Sequence, residues 1–259
     1  MIDLHSHLLP GIDDGPPDLT GALELARAAA ADGVRVLAAT PHLRADHPSV
    51  RPAELRDRAD IVRAALTREG VGIDVVVGGE VDLLWAQQAD ELTLRQVSYG
   101  QRGTDLLVEA PYGELPARLE DMVFNLAAQG FRVLLAHPER SAGFRADPRR
   151  LRALVDRGSL LQLTAGSLVG PTRHSRIRRF AQQLVREGLA HVIASDAHGG
   201  DIERAGLSAG VAAAAEVAPQ RAEWMVTEAP AAILSGEALP EPPAERAGRR
   251  ARRWPRRAG

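Results

Sequence analysis

Apolar positions along the chain fall into two alternating patterns. Short, near-continuous Val/Leu/Ile/Ala runs occur at MIDLH (1–5), VRVLAAT (34–40), IDVVVGGE (73–80), DLLVEA (105–110), FRVLLAH (131–137), SLLQLTA (159–165) and AHVIASD (190–196). Strands of a parallel sheet buried on both faces require runs of this kind. Between them lie longer stretches with helical spacing, at 18–32, 52–69, 115–129, 147–157, 175–188 and 201–217, and a final helical pair covers 220–235. DGV, EGV, QGF, RGS and EGL each place a glycine where a helix would end, just ahead of the next strand. Strands alternating with helices predict a parallel α/β fold.

The polar residues refine this picture, because they gather at one end of the strand runs. His5 and His7, His42, Glu80, Glu109, His137, and Asp196 with His198 all sit at or just past a C-terminal strand end. In an open sheet, strands spaced roughly 4.8 Å apart would spread these groups over tens of Å. They converge only if the sheet closes. The expected architecture is therefore a closed, TIM-like (β/α)7 barrel with its active site at the C-terminal ends of the strands.

Composition limits the chemistry. The 259 residues are 45% hydrophobic but only 3% aromatic, so aliphatic side chains and alanine must fill the core. There is no cysteine, which excludes a thiolate nucleophile and a Cys-type zinc site. All 32 basic residues are arginine, which excludes a Schiff-base or P-loop lysine. No apolar run is long enough to span a bilayer, and no basic-then-apolar leader opens the sequence, so a cytoplasmic protein is expected. The formal net charge of −2 conceals a basic end: residues 245–259 carry +6 and the rest −8. An acidic body argues against nucleic-acid binding. The expected organisation is a catalytic domain over 1–236, then a Pro-rich linker and a disordered Arg-rich tail over 237–259.

The gathered side chains have the character of metal ligands. His5 and His7, two apart in a strand, face the same way and could share one ion. Two adjacent acids, Asp13 and Asp14, follow in the same opening stretch, HSHLLPGIDDG. ATPH, GGEV, VEAPY, LLAHPER and ASDAH supply His42, Glu80, Glu109, His137, Asp196 and His198. A carboxylate at the end of an apolar strand is costly unless it is paired or metal-bound. Five histidines and several carboxylates exceed the needs of one ion, so two or three ions sharing a carboxylate are expected. Mixed imidazole and carboxylate ligands suit Mn, Fe or Zn better than Ca or Mg alone.

HSHLLPGIDDG, ATPH, GGE, AHPER and ASDAH, in this order and spacing, resemble the polymerase-and-histidinol-phosphatase (PHP) superfamily. Within it the chain is similar to the bacterial manganese-dependent protein-tyrosine phosphatases of capsular and exopolysaccharide biosynthesis. The resemblance runs from Met1 to about residue 235. It implies a distorted barrel with a trinuclear centre, and His5, His7, Asp14, His42, Glu80, Glu109, His137, Asp196 and His198 as ligands. It makes Asp14 the ligand and leaves Asp13 to shape the turn. It implies a phosphotyrosine protein as partner, a bacterial tyrosine autokinase of polysaccharide export, and Mn2+ as cofactor with Fe or Zn as alternatives.

The expected reaction is hydrolysis of a phosphomonoester by hydroxide that a metal has activated. Asp14, His42 or His198 would protonate the leaving phenolate. Arg140 is the leading phosphate clamp, followed by Arg204 and Arg44. His47, His174 and His191 fall outside the motifs and read as structural or surface residues. Two alternatives stay open: another PHP phosphoesterase, such as a histidinol-phosphate phosphatase, and a non-catalytic metal-binding regulatory module. The Arg-rich tail could contact an anionic membrane or an acidic partner.

Overall fold

The computed structural model describes residues 1–169, 176–199 and 206–244. In chain order, β1 (Ile2–Ser6) leads to α1 (Leu19–Ala31), β2 (Val36–Ala39), β3 (His42–Leu43), α2 (Leu55–Arg68), β4 (Asp74–Val77) and β5 (Glu80–Asp82). Then follow α3 (Leu83–Ala86), α4 (Glu91–Val97), β6 (Asp105–Glu109), α5 (Leu119–Ala128), β7 (Arg132–Ala136), α6 (Ala142–Ala146) and α7 (Pro148–Val155). The described chain ends with β8 (Leu160–Thr164), α8 (Ala165–Val169), α9 (Arg176–Arg186), β9 (Val192–Ala194), α10 (Leu207–Ala215), α11 (Pro219–Trp224) and α12 (Glu228–Ser235). Helix starts follow local chemistry: Asp18, Asp82, Asp90 and Ser141 each accept a backbone N–H of the first turn.

All seven predicted strand runs form strands, and every pairing is parallel. Two further strands, β3 and β5, were not expected. They are two and three residues long, too short to leave a periodic signal, and they continue β2 and β4 beyond Thr40–Pro41 and Gly78–Gly79. Those breaks divide the hydrogen bonding into a three-stranded sheet, β1-β2-β4, and a six-stranded sheet, β3-β5-β6-β7-β8-β9. The expected single ring of seven strands is thus not seen as one closed sheet. At the far edge, β1 lies beside the end of β9. Ser6 bridges to Ala197, the Asp196 N–H donates to the His5 carbonyl (2.9 Å), and the His7 N–H donates to the Ala197 carbonyl (2.8 Å).

The core has two parts. One cluster holds Leu4, Ala38, Leu107, Leu134, Leu160, Val192 and Ala194 from strands of both sheets, with Tyr99 and Ile233. The larger one joins the opposite strand faces, such as Leu106, Val108, Val133 and Leu135, to the helices. Strand residues two apart share a face. Glu109 therefore follows Leu107 and Gln162 follows Leu160, which places a polar layer directly beyond the first cluster, and Asp196 joins it just past the end of β9.

Among the described residues helices form where expected, with the segment at 52–69 opening as a 3-10 turn over Pro52–Glu54 and the one expected at 201–217 seen as Leu207–Ala215, its first five positions lying outside the described residues. The short α3, α4, α6 and α8 were not foreseen. The Arg-rich tail at 245–259, Arg204 and His174 lie outside the described residues. No helix among the described residues is long and apolar enough to cross a membrane.

Candidate metal centre

The polar layer ends in a set of side chains from almost every strand. Four groups each have ligand-type atoms within 4.8 Å of one another: His7, Asp14, His42 and His198; His5, His7 and Asp196; His5, Glu80 and His137; His42, Glu80 and Glu109. Neighbouring groups share His7, His5, Glu80 and His42, so the four form one continuous cluster. Together they contain all nine residues that the sequence put forward as ligands. Glu80 is central. Its Oε2 lies 3.3 Å from His5 Nε2, 3.5 Å from His7 Nε2 and 2.9 Å from His42 Nδ1, while its Oε1 bonds His137 Nε2 at 2.6 Å. Asp14 and His198 form the more open side, with 51% and 36% of their side chains exposed and 3.4 Å between them.

Local sequence explains this placement. In the parallel register His42 lies directly opposite Glu80, so adjacent strands bring them together. A side chain on Gly79 would overlap Leu43, so glycine is what lets β5 approach β3. A side chain on Gly15 would overlap the His7 carbonyl, so the Asp13-Asp14-Gly15 turn folds over His7 only with glycine there. His137 and Asp196 adopt left-handed backbone conformations (φ 31° and 57°), uncommon for non-glycine residues, which turn their side chains into the cluster.

The imidazoles are oriented from behind. His5 Nδ1 donates to Gln162 Oε1 (3.0 Å), and His7 Nδ1 donates to Asp13 Oδ2 (2.7 Å). Both therefore turn Nε2 toward the cluster, the arrangement that fixes a metal-binding histidine. Asp13 does shape the turn, accepting the Gly15 N–H, but it also holds His7 and the His42 N–H. Sequence reading missed Gln162, whose one signal was an amide inside the apolar run LLQLT. It also missed Tyr112, whose ring stacks on His137 at 5.5 Å.

Electrostatics show that the cluster requires positive charge. Burial disfavours a charged His5, yet Glu80 and Asp196 outweigh it and lift its pKa to about 9. Burial likewise opposes charge on His7, but Asp13, Asp196 and Glu80 lift it to about 10. Burial would raise Glu80 and Asp196, but His5 and the other histidines hold both well below the usual carboxylate range. Burial, then repulsion from Glu80, pushes Glu109 up. Five buried atoms here lack a hydrogen-bond partner: His5 Nε2, His7 Nε2, His42 Nδ1, Glu80 Oε2 and Glu109 Oε1. Buried polar atoms without partners are costly. A divalent cation would satisfy them and supply the charge that protons otherwise bring, so the donor set fits a metal.

Of the arginines, Arg140 donates to Asp196 Oδ2 (2.5 Å) and keeps a third of its side chain exposed. Arg44 donates to Glu109 Oε2 (3.3 Å) and to Asp46. His47, expected to be structural or on the surface, stacks on His42 at 5.0 Å. His191 is structural: its Nδ1 accepts the Leu161 N–H.

A family model described as capsular polysaccharide synthesis, CpsB/CapC, matches residues 1–234. The chain belongs to the CpsB/CapC family. This CpsB/CapC member is 35% identical over 198 residues to the tyrosine-protein phosphatase YwqE of Bacillus subtilis, covering 76% of this chain and 77% of that one. It is 24% identical over 206 residues to the tyrosine-protein phosphatase CpsB of Streptococcus agalactiae, covering 78% and 84%. Its fold matches a chain from the crystal structures of YwqE from Bacillus subtilis and CpsB from Streptococcus pneumoniae, described as unique metal-dependent tyrosine phosphatases. The TM-score is 0.82 at 29% identity, over 95% of this chain and all of that one.

Proposed function

We propose that this chain is a metal-dependent phosphomonoesterase that hydrolyses phosphotyrosine on proteins of capsule or exopolysaccharide synthesis. The continuous nine-residue cluster carries the reading, and the named activity of the similar phosphatases supports it. The proposed ligands are His5, His7, Asp14, His42, Glu80, Glu109, His137, Asp196 and His198. They would hold two or three ions, Mn2+ first, with Fe or Zn as alternatives. We also propose that the two sheets act as one distorted seven-strand barrel. The core cluster shared by both sheets and the Ser6–Ala197 bridge support closure.

When bound, such ions lower the pKa of water and neutralise phosphoryl oxygens. The rest falls to the chain's own residues. Glu80, at the centre, sets the spacing of His5, His7, His42 and His137 around it. Arg140 holds Asp196 and takes a phosphoryl oxygen at the same time, as a forked guanidinium can. Arg204, which lies outside the described residues, is proposed as a second phosphate clamp. Asp14 and His198 line the open side with His42 just beneath, and whichever of the three is not ligating an ion would give a proton to the departing phenolate. No cysteine is available to form a phosphocysteine, so no protein nucleophile is invoked.

The proposed partner is a tyrosine autokinase of polysaccharide export, met in the cytoplasm, with the Arg-rich tail free to engage an anionic surface. The test is hydrolysis of p-nitrophenyl phosphate and a phosphotyrosine peptide, abolished by chelation and restored by Mn2+. Manganese-loaded protein that turns over neither substrate, or that prefers histidinol phosphate to phosphotyrosine, would refute the reading.

A further inference from the structure

A cleft of about 400 Å3 lies between α6 and α9, lined by Arg145, Arg176, Arg179, Phe180 and Gln183 together with two alanines of α6. Among the described residues, no acidic side chain lines it. It flanks the proposed active site. α6 begins two residues after Arg140, α9 packs against the Pro138–Arg140 turn, and Arg145 donates to the Glu139 carbonyl (2.8 Å).

Two arginines of this cleft lack the acidic partner that many surface arginines have. Elsewhere Arg27, Arg58, Arg95, Arg118 and Arg152 each pair with a nearby glutamate or aspartate. Arg176 and Arg179 are exposed and make no hydrogen bond or ion pair among the described residues. Both belong to α9 and lie on the side that lines the cleft. Residues 1–244 carry a net charge of −8, so this cationic cleft stands against an acidic background. Its volume suits a short stretch of side chains rather than an ion alone. Its apolar lining, Phe180 and the alanines, would accept the apolar part of such a chain.

We propose that this cleft binds anionic side chains of the polypeptide substrate, a few residues from the phosphotyrosine, so that the enzyme selects phosphotyrosine in acidic segments. This rests on the phosphotyrosine reading above. Contacts of this kind at an exposed rim act on encounter and binding more than on the chemical step. Their effect therefore falls on KM and weakens with salt.

The test uses full-length, Mn2+-loaded protein, p-nitrophenyl phosphate, and two phosphotyrosine peptides that differ only in Glu/Asp versus Gln/Asn flanks. Wild type should favour the acidic peptide by roughly three- to tenfold in kcat/KM at low salt, the scale of two or three exposed ion pairs. R176S/R179S should remove that preference through KM while leaving p-nitrophenyl phosphate turnover unchanged, and R176K/R179K should restore it. An acidic-to-neutral ratio that stays the same in R176S/R179S would overturn the proposal. So would a double variant that loses binding to anionic phospholipid vesicles while its peptide ratio is unchanged, since that result would assign the cleft to a membrane surface. Wild type inactive on every phosphomonoester would instead remove the phosphotyrosine reading beneath it.

Discussion

Asp13→Asn separates orientation of a metal ligand from ligation itself. The Asp13 carboxylate makes three contacts: Oδ2 accepts from His7 Nδ1 (2.7 Å) and from the His42 N–H (3.1 Å), and Oδ1 accepts from the Gly15 N–H (3.1 Å). Asparagine offers one acceptor oxygen. If that oxygen stays with His7 and His42, the amide NH2 meets the Gly15 N–H and that bond is lost. The loss is worth about 1 kcal/mol. The bond to His7 also changes from charge-assisted to neutral, which costs a further ~1 kcal/mol. Together these give about 2 kcal/mol, which is on the order of a thirtyfold loss in equilibrium terms. Removing the group that orients a metal-binding histidine typically lowers affinity by about 10- to 100-fold.

The assay is a Mn2+ titration of p-nitrophenyl phosphate hydrolysis, with metal affinity measured in parallel by calorimetry. D13N should shift the Mn2+ midpoint upward by roughly 10- to 100-fold and recover most of its kcat at saturating Mn2+. An unchanged midpoint would show that Asp13 only shapes the turn. Activity lost beyond rescue by metal would show that Asp13 acts in the chemistry, and either result refutes the assignment.

Two predictions concern the scaffold. Tyr99 is fully buried and its hydroxyl donates to the Leu4 carbonyl (2.7 Å) between the two sheets; Tyr99→Phe should lower unfolding free energy by about 1–2 kcal/mol in urea melts, and an unchanged melt would show the bond to be neutral. Burial, then the Arg221 charge, depresses His191 to about 4, and its Nδ1 must stay unprotonated to accept the Leu161 N–H. The unfolded chain binds that proton more readily, so stability is fully present above pH 6.5 and is lost as pH falls toward 4. The loss approaches ~2–3 kcal/mol by pH 4.5. His191→Asn keeps an acceptor without titrating and should narrow the stability gap between pH 7.5 and pH 4.5 by that amount; an equal gap in both proteins would refute the assignment.

What the sequence made legible follows from the length of each signal. β6, β7 and β8 come from apolar runs long enough to mark a doubly buried strand. α2 and α9 repeat their apolar positions over three turns. β3 and β5 have two and three residues, and α3, α6 and α8 have four or five, so none of them repeats often enough to be read. Eight of the nine clustered residues were legible because ligands must be polar at strand ends that are otherwise apolar, while Asp14, in a turn, was singled out only by the resemblance to the PHP phosphatases. Gln162 and Asp13 were harder to read, because they act on His5 and His7 across the fold or through a turn, and only three-dimensional contact distinguishes that from ordinary polarity.

The breaks that split the sheet are also what build its centre. Had β2 and β4 run straight on, successive side chains would have kept alternating between the core and the helices. Pro41 and the Gly78-Gly79 pair interrupt both strands at the same level, and the pairing resumes as His42 opposite Glu80. The restart sets His42 Nδ1 2.9 Å from Glu80 Oε2. It also brings Glu80 Oε1 to 2.6 Å from His137, three residues after Leu134 of the shared core cluster. A carboxylate buried this deeply would be destabilising without cations around it. The same two interruptions that deny the fold a continuous hydrogen-bonded ring therefore place a fully buried acid among four histidines, at the position where the two sheets meet.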